Sequence, residues 1–91
     1  MNLASCPRIG KDVVSRDLDG EVVILNLRTG IYFGLDPVGT KIWQLIVKRR
    51  SLQKVLDSLL EEYEVPETRC ADDLLEFVAR LQENELIEVS R

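Results

Sequence analysis

Histidine, the commonest general base and a frequent metal ligand, is absent from the 91 residues of this chain, so any catalysis would have to rest on other groups. Cys6 and Cys70 are the two thiols, lie far apart, and form neither a C-x-x-C pair nor a disulfide framework. They fit a reducing compartment. A nucleophilic thiolate at Cys70 would need a base or a cationic cluster to lower its pKa, and the adjacent Arg69 points elsewhere on a helix. A buried or groove-lining thiol is the better reading. Carboxylates are plentiful, but Glu61, Glu62 and Glu64, and again Asp72, Asp73 and Glu76, fall at helical spacings that a solvated face explains. Gly20, Gly30, Gly34 and Gly39 are too dispersed to cradle a phosphate and match no nucleotide-binding motif. Lys48, Arg49, Arg50 and Lys54 make the one basic cluster, which a helix end and the turn after it account for. No enzymatic activity, cofactor or metal is expected.

The formal charge of -4 opposes attraction to phosphate backbones, which makes nucleic acid a poor partner. With 45% hydrophobic and 31% charged residues, the composition is that of a folded domain, and the length allows one core. No run approaches the ~18 apolar residues of a membrane span, and the N-terminus lacks the pattern of a signal peptide. The expectation is a cytoplasmic protein with no membrane role.

The elements that would position any site follow from local signals. Residues 1–12 carry Pro7 and Gly10 without periodic pattern and read as a flexible arm, leaving 13–91 as a single domain. Val13–Leu18 and Glu21–Leu27 are rich in β-branched and apolar residues, and Asp19-Gly20 between them signals a two-residue hairpin. Arg28-Thr29-Gly30 supplies a second turn into Ile31–Leu35, completing a three-stranded antiparallel meander. Asp36 caps a helix with Pro37 at its first position, Ser51 caps a second, and Pro66 opens a third running to about Gln82. Leu86 to Val89 is a final strand or an extended segment, which periodicity does not separate. The fold class is α+β, a sheet followed by three helices.

Strand edges invite pairing with other chains unless charge, proline or a covering element blunts them. Lys11, Asp12, Arg16 and Asp17 surround the first strand, whereas Ile31, Tyr32, Phe33, Gly34 and Leu35 carry neither charge nor proline. On the third helix Ala71, Leu75 and Val78 make one apolar stripe, and Cys70, Leu74, Phe77 and Leu81 make a second beside it, bordered by Asp73 and Arg80. That face is wider than a single contact needs. An open edge facing a partly apolar helix provides the two walls for strand addition by a peptide. The alternatives are that Leu86–Val89 or a second copy covers the edge and that Phe77 is core.

The run from Leu18 to Trp43 closely resembles the PqqD-like family in its G-x-x-x-x-L-N-x-x-T-G-x-Y-x-x-L-(N/D)-x-x-G-x-x-I-W pattern, and the resemblance extends from near Val13 to near Val89. It implies a winged helix-turn-helix-like fold and a role as a recognition element for ribosomally made, modified peptides. In such domains the leader of a precursor is held as an added strand and presented to a processing enzyme. Carried over by position, the resemblance implies leader contacts at Ile31, Tyr32, Phe33, Gly34 and Leu35, with Cys70, Asp73, Leu74, Phe77 and Arg80 lining the groove. The chain looks most like the stand-alone leader-binding protein of split lasso-peptide systems, whose partner is a cysteine leader protease. The pyrroloquinoline-quinone branch, serving a radical SAM enzyme, shares the motif.

Two other classes fit the fold. A DNA-binding winged helix should have a basic third helix, but Asp72, Asp73 and Glu76 outnumber Arg69 and Arg80. A self-associating scaffold would use the same edge on another copy, so the chain is expected as a monomer or weak homodimer. Trp43 lies about 100° around its helix from Ile42 and either seals the helix against the sheet or anchors the enzyme partner.

Overall fold

The computed structural model describes residues 2–90; Met1 and Arg91, the outermost residues of the expected arm and domain, lie outside the described residues. Five strands and three helices follow the order β1 (Cys6–Ile9), β2 (Val13–Leu18), β3 (Glu21–Asn26), β4 (Ile31–Gly34), α1 (Pro37–Arg49), α2 (Leu52–Glu62), α3 (Glu67–Glu83) and β5 (Ile87–Ser90). The architecture is α+β, as the sequence implies. β2, β3 and β4 form an antiparallel sheet in that order, while β1 and β5 pair as a separate ribbon.

That ribbon departs from the sequence reading, which leaves residues 6–9 in a flexible arm. Pro7 is buried and Ile9 half-buried between exposed Cys6 and Arg8, a strand alternation too short to stand out in the sequence. Proline is tolerated because β1 is an edge. The segment is tied at both ends, with the Gly10 N–H donating to the Leu86 carbonyl at 3.1 Å and the Leu52 N–H to the Ser5 carbonyl at 3.3 Å. β5 is thereby settled as a strand, and its partner is β1 rather than β4.

Local chemistry sets the meander. Asp19 and Gly20 both take positive φ, 55° and 86°, as a type I′ hairpin requires. β3 ends one residue earlier than expected because the buried Asn26 side chain accepts hydrogen bonds from the Arg28 and Thr29 N–H groups, turning the chain and leaving Leu27 exposed. Asn26 Nδ2 also donates to the Glu85 carbonyl at 3.3 Å, and Arg28 pairs with the Glu85 carboxylate, which fastens this hairpin to the turn after α3.

Val22 and Ile24 point from β3 onto the helices, where Ile42, Trp43 and Ile46 of α1, Leu52, Val55 and Leu56 of α2, and Leu74, Val78 and Leu81 of α3 complete the core. Asp36 caps α1 by accepting from the Gly39 N–H at 2.7 Å, and Ser51 caps α2. Trp43 is 2% exposed and its Nε1 donates to Ser15 Oγ on β2, so it seals α1 against the sheet. Among the described residues no helix is long and apolar enough to cross a membrane.

Candidate functional site

β4 pairs on one side only, with β3, among the described residues. The Leu35 N–H donates to the Val22 carbonyl at 2.9 Å, and the register pairs Phe33 with Ile24 and Ile31 with Asn26. Because hydrogen-bonded and non-bonded pairs alternate along an antiparallel ladder, residues 31, 33 and 35 turn their backbone groups toward β3. Tyr32 and Gly34 therefore turn their N–H and C=O groups outward. The opposite edge of β3 agrees in phase, since the Leu27 N–H donates to the Asp12 carbonyl on the β2 side.

A buried hydroxyl holds the end of this edge. Thr40 Oγ1 accepts from the Val22 N–H at 2.9 Å and lies 3.4 Å from the Leu35 carbonyl, to which it donates. It stands in the ladder where β4 leaves β3, and couples the strand to the first turn of α1.

Across from the edge, α3 forms the second wall of a cleft of about 520 Å³. Phe33, Gly34 and Leu35 line the strand side, Asp73, Phe77 and Arg80 the α3 side, and Val38, Gly39 and Ile42 of α1 the floor. A Cβ at Gly39 would lie 3.3 Å from Phe77 Cε1 and 3.2 Å from Asp36 Oδ1, so glycine lets the Phe77 ring seat against the capped turn. Phe77 is half-buried, with part of its ring packed against the core and part on the cleft.

A smaller apolar hollow of about 230 Å³ adjoins the cleft, sharing Val38, Ile42 and Asp73 with it. Cys70, Tyr63 and Val65 line it. Burial pushes the Cys70 thiol above the ordinary range, and the Asp73 charge adds to the effect. Protonated at neutral pH, this thiol is poorly suited to be a nucleophile.

Of the residues singled out from sequence, Phe33, Gly34, Leu35, Asp73, Phe77 and Arg80 meet in one cleft, and Cys70 lines the adjoining hollow. Leu74 also borders the hollow but is 1% exposed and belongs to the core. Ile31 and Tyr32 are exposed on β4, and their side chains do not line the cleft. The two stripes of α3 divide only in part as their spacing suggests: Val78 is core and Cys70 and Phe77 lie on the groove side, but Leu74 and Leu81 of the second stripe are buried as well. Ala71 and Leu75 lie at the margin. The broad apolar face leaves the helix's rotation to be set by packing. Sequence reasoning missed the α1 floor: Val38 is 53% exposed at the cleft. The signal available for Gly39 was its place in the V-G-x-x-I-W run.

Residues 21–87 match the family model described as coenzyme PQQ synthesis protein D, PqqD. The chain belongs to the PqqD family. Two solved structures resemble this PqqD-family chain. One is TbiB1 in complex with the TbiA(beta) leader peptide, 41% identical, covering 89% of this chain and 94% of that one with a TM-score of 0.86. The other is a lasso peptide synthetase B1 complexed with the leader peptide, 28% identical, covering 90% and 96% with a TM-score of 0.82. No curated protein matches the chain.

Proposed function

We propose that this protein binds the leader region of a ribosomally made precursor peptide as an added strand on β4, packed against α3, and presents it to a processing enzyme. The observation that carries the reading is the coincidence of two features: outward main-chain groups at Tyr32 and Gly34, and an apolar cleft running beside them to Phe77. Main-chain pairing supplies affinity and the cleft supplies selectivity. The leader complexes of both similar structures support the reading, in which this chain binds the peptide and the processing enzyme supplies the chemistry. Within the edge from Ile31 to Leu35, leader pairing is assigned to the outward main chain of Tyr32 and Gly34, and side-chain contacts to Phe33 and Leu35 and to the Asp73, Phe77 and Arg80 side of the cleft, with Cys70 and Leu74 beneath its extension.

The lasso-peptide branch, with a cysteine leader protease as partner, is favoured over the pyrroloquinoline-quinone branch because a lasso peptide synthetase B1 is among the similar structures. An acidic, exposed face at Asp72, Asp73 and Glu76 argues against DNA on α3. The direct test is fluorescence anisotropy of a labelled TbiA(beta) leader peptide, alongside the leader encoded nearest this protein's own gene. Micromolar or tighter binding of either is expected. Failure of both to bind at hundreds of micromolar would overturn the proposal.

A further inference from the structure

We propose that Asp73 and Arg80 fix the charge order of the bound peptide, so that the segment along β4 carries a basic residue toward its N-terminal end and an acidic residue toward its C-terminal end. The inference rests on the peptide-binding reading above. Both side chains are exposed and line one cleft, and neither joins an ion pair among the described residues. Their seven-residue separation on α3 is about 10 Å along the axis, or about three residues of extended strand.

The path of α3 relative to β4 assigns each charge to an end. Asn26, paired with Ile31, donates to the Glu85 carbonyl just past the C-terminus of α3. At the other end a Cβ on Gly39 would touch both Phe77 and Leu35, at 3.3 and 3.5 Å. α3 thus runs opposite to β4, with Arg80 toward the Ile31 end and Asp73 beyond Leu35. A strand added antiparallel, continuing the alternation of the sheet, meets Asp73 first and Arg80 second.

Other charges nearby do not cancel this polarity. The Asp36 carboxylate, which accepts from the Gly39 N–H, lines the cleft beside Leu35 and adds to the negative charge at the Asp73 end; Arg69, one turn before Asp73, and Glu76 and Glu83, one turn from Arg80, form no ion pair with either. Arg80 in the last turn also suits the helix dipole, but Asp73, in the middle of α3, has no such role. Charges at a binding rim select partner and register more than they add affinity.

The test is selection of a displayed library of random ten-residue peptides on the immobilised full chain and on the Asp73→Lys/Arg80→Glu variant. Peptides enriched on the unaltered chain should place Lys or Arg two to four residues before Asp or Glu, and the variant should reverse that order. Synthetic peptides with one charge reversed should bind about two- to fivefold more weakly. If the double variant does not fold, Asp73→Asn and Arg80→Gln should each erase the preference at one end. Enriched peptides with no charge order, with the reverse order, or with the same order on both proteins would overturn the inference and leave peptide binding standing. Absence of any enriched peptide would overturn the binding reading, and this inference with it.

Discussion

Replacing Gly34 by proline separates the free edge of β4 from its paired edge. The Gly34 N–H faces away from β3, so its loss removes no bond of the sheet, and a Cβ at this position meets nothing within 4 Å. Proline also restricts the unfolded chain, a gain of about 0.4–1 kcal/mol where the backbone fits, so stability should change by less than about 1 kcal/mol. Binding should respond very differently. The added strand loses one main-chain hydrogen bond, about 0.5–1.5 kcal/mol net, and its carbonyl is left facing a proline ring, a further 1–3 kcal/mol or so. A total of about 1.5–4.5 kcal/mol corresponds to a roughly 10- to 2,000-fold weaker Kd. Anisotropy with the labelled leader and a thermal melt give the two numbers. Phe33→Pro is the control, because its N–H faces Ile24 and its loss should destabilise the fold by about 1–3 kcal/mol. Gly34→Pro that binds the leader normally, or that melts as Phe33→Pro does, would refute the assignment of the outward edge.

Other expectations follow from the same geometry. Phe77→Ala should cost about 1–2 kcal/mol of stability, since the ring is only partly in the core, and should weaken leader binding at least tenfold; collapse of stability with unchanged affinity of the folded protein would place Phe77 wholly in the core. Thr40→Val keeps the shape but strands the Val22 N–H, so the melting temperature should fall by roughly 5–15 °C, for about 1–2 kcal/mol. In a Cys6→Ser background, alkylation of Cys70 at pH 8 should be slower than that of a free cysteine peptide and should accelerate as pH rises. Because the folded thiol holds its proton to higher pH than the unfolded one, its contribution to stability is present below the ordinary thiol pKa and is lost as pH rises past it. An alkylation rate equal to the free peptide's would contradict that environment.

Much of the fold was legible because its signals are local. Asp19-Gly20, Asp36-Pro37 and Ser51 each dictate a turn or cap from neighbouring residues, and the structure has all three. β1 was not legible, since four residues including a proline acquire strand character only by pairing with Ile87–Ser90 at the far end of the chain. The rotation of α3 was likewise undetermined: Leu74 and Leu75 both lie on its apolar face, and only packing against α1 and α2 puts Leu74 inside. The open edge was visible in its lack of charge, but the division of labour between Tyr32 and Gly34 on one side and Ile31 and Phe33 on the other required the register with β3. The floor at Val38 and Gly39 depends on how α1 meets both walls, which no window of sequence reports.

Residue-resolved amide hydrogen exchange, with and without leader peptide, tests strand addition on β4 most directly. In the free protein the Phe33 and Leu35 amides, bonded into the sheet, should exchange slowly and the Tyr32 and Gly34 amides fast. Saturation with leader should slow Tyr32 and Gly34 by at least tenfold and change Phe33 little. Protection appearing instead along β2, or confined to α1 and α2, with Tyr32 and Gly34 still exchanging fast, would contradict the account.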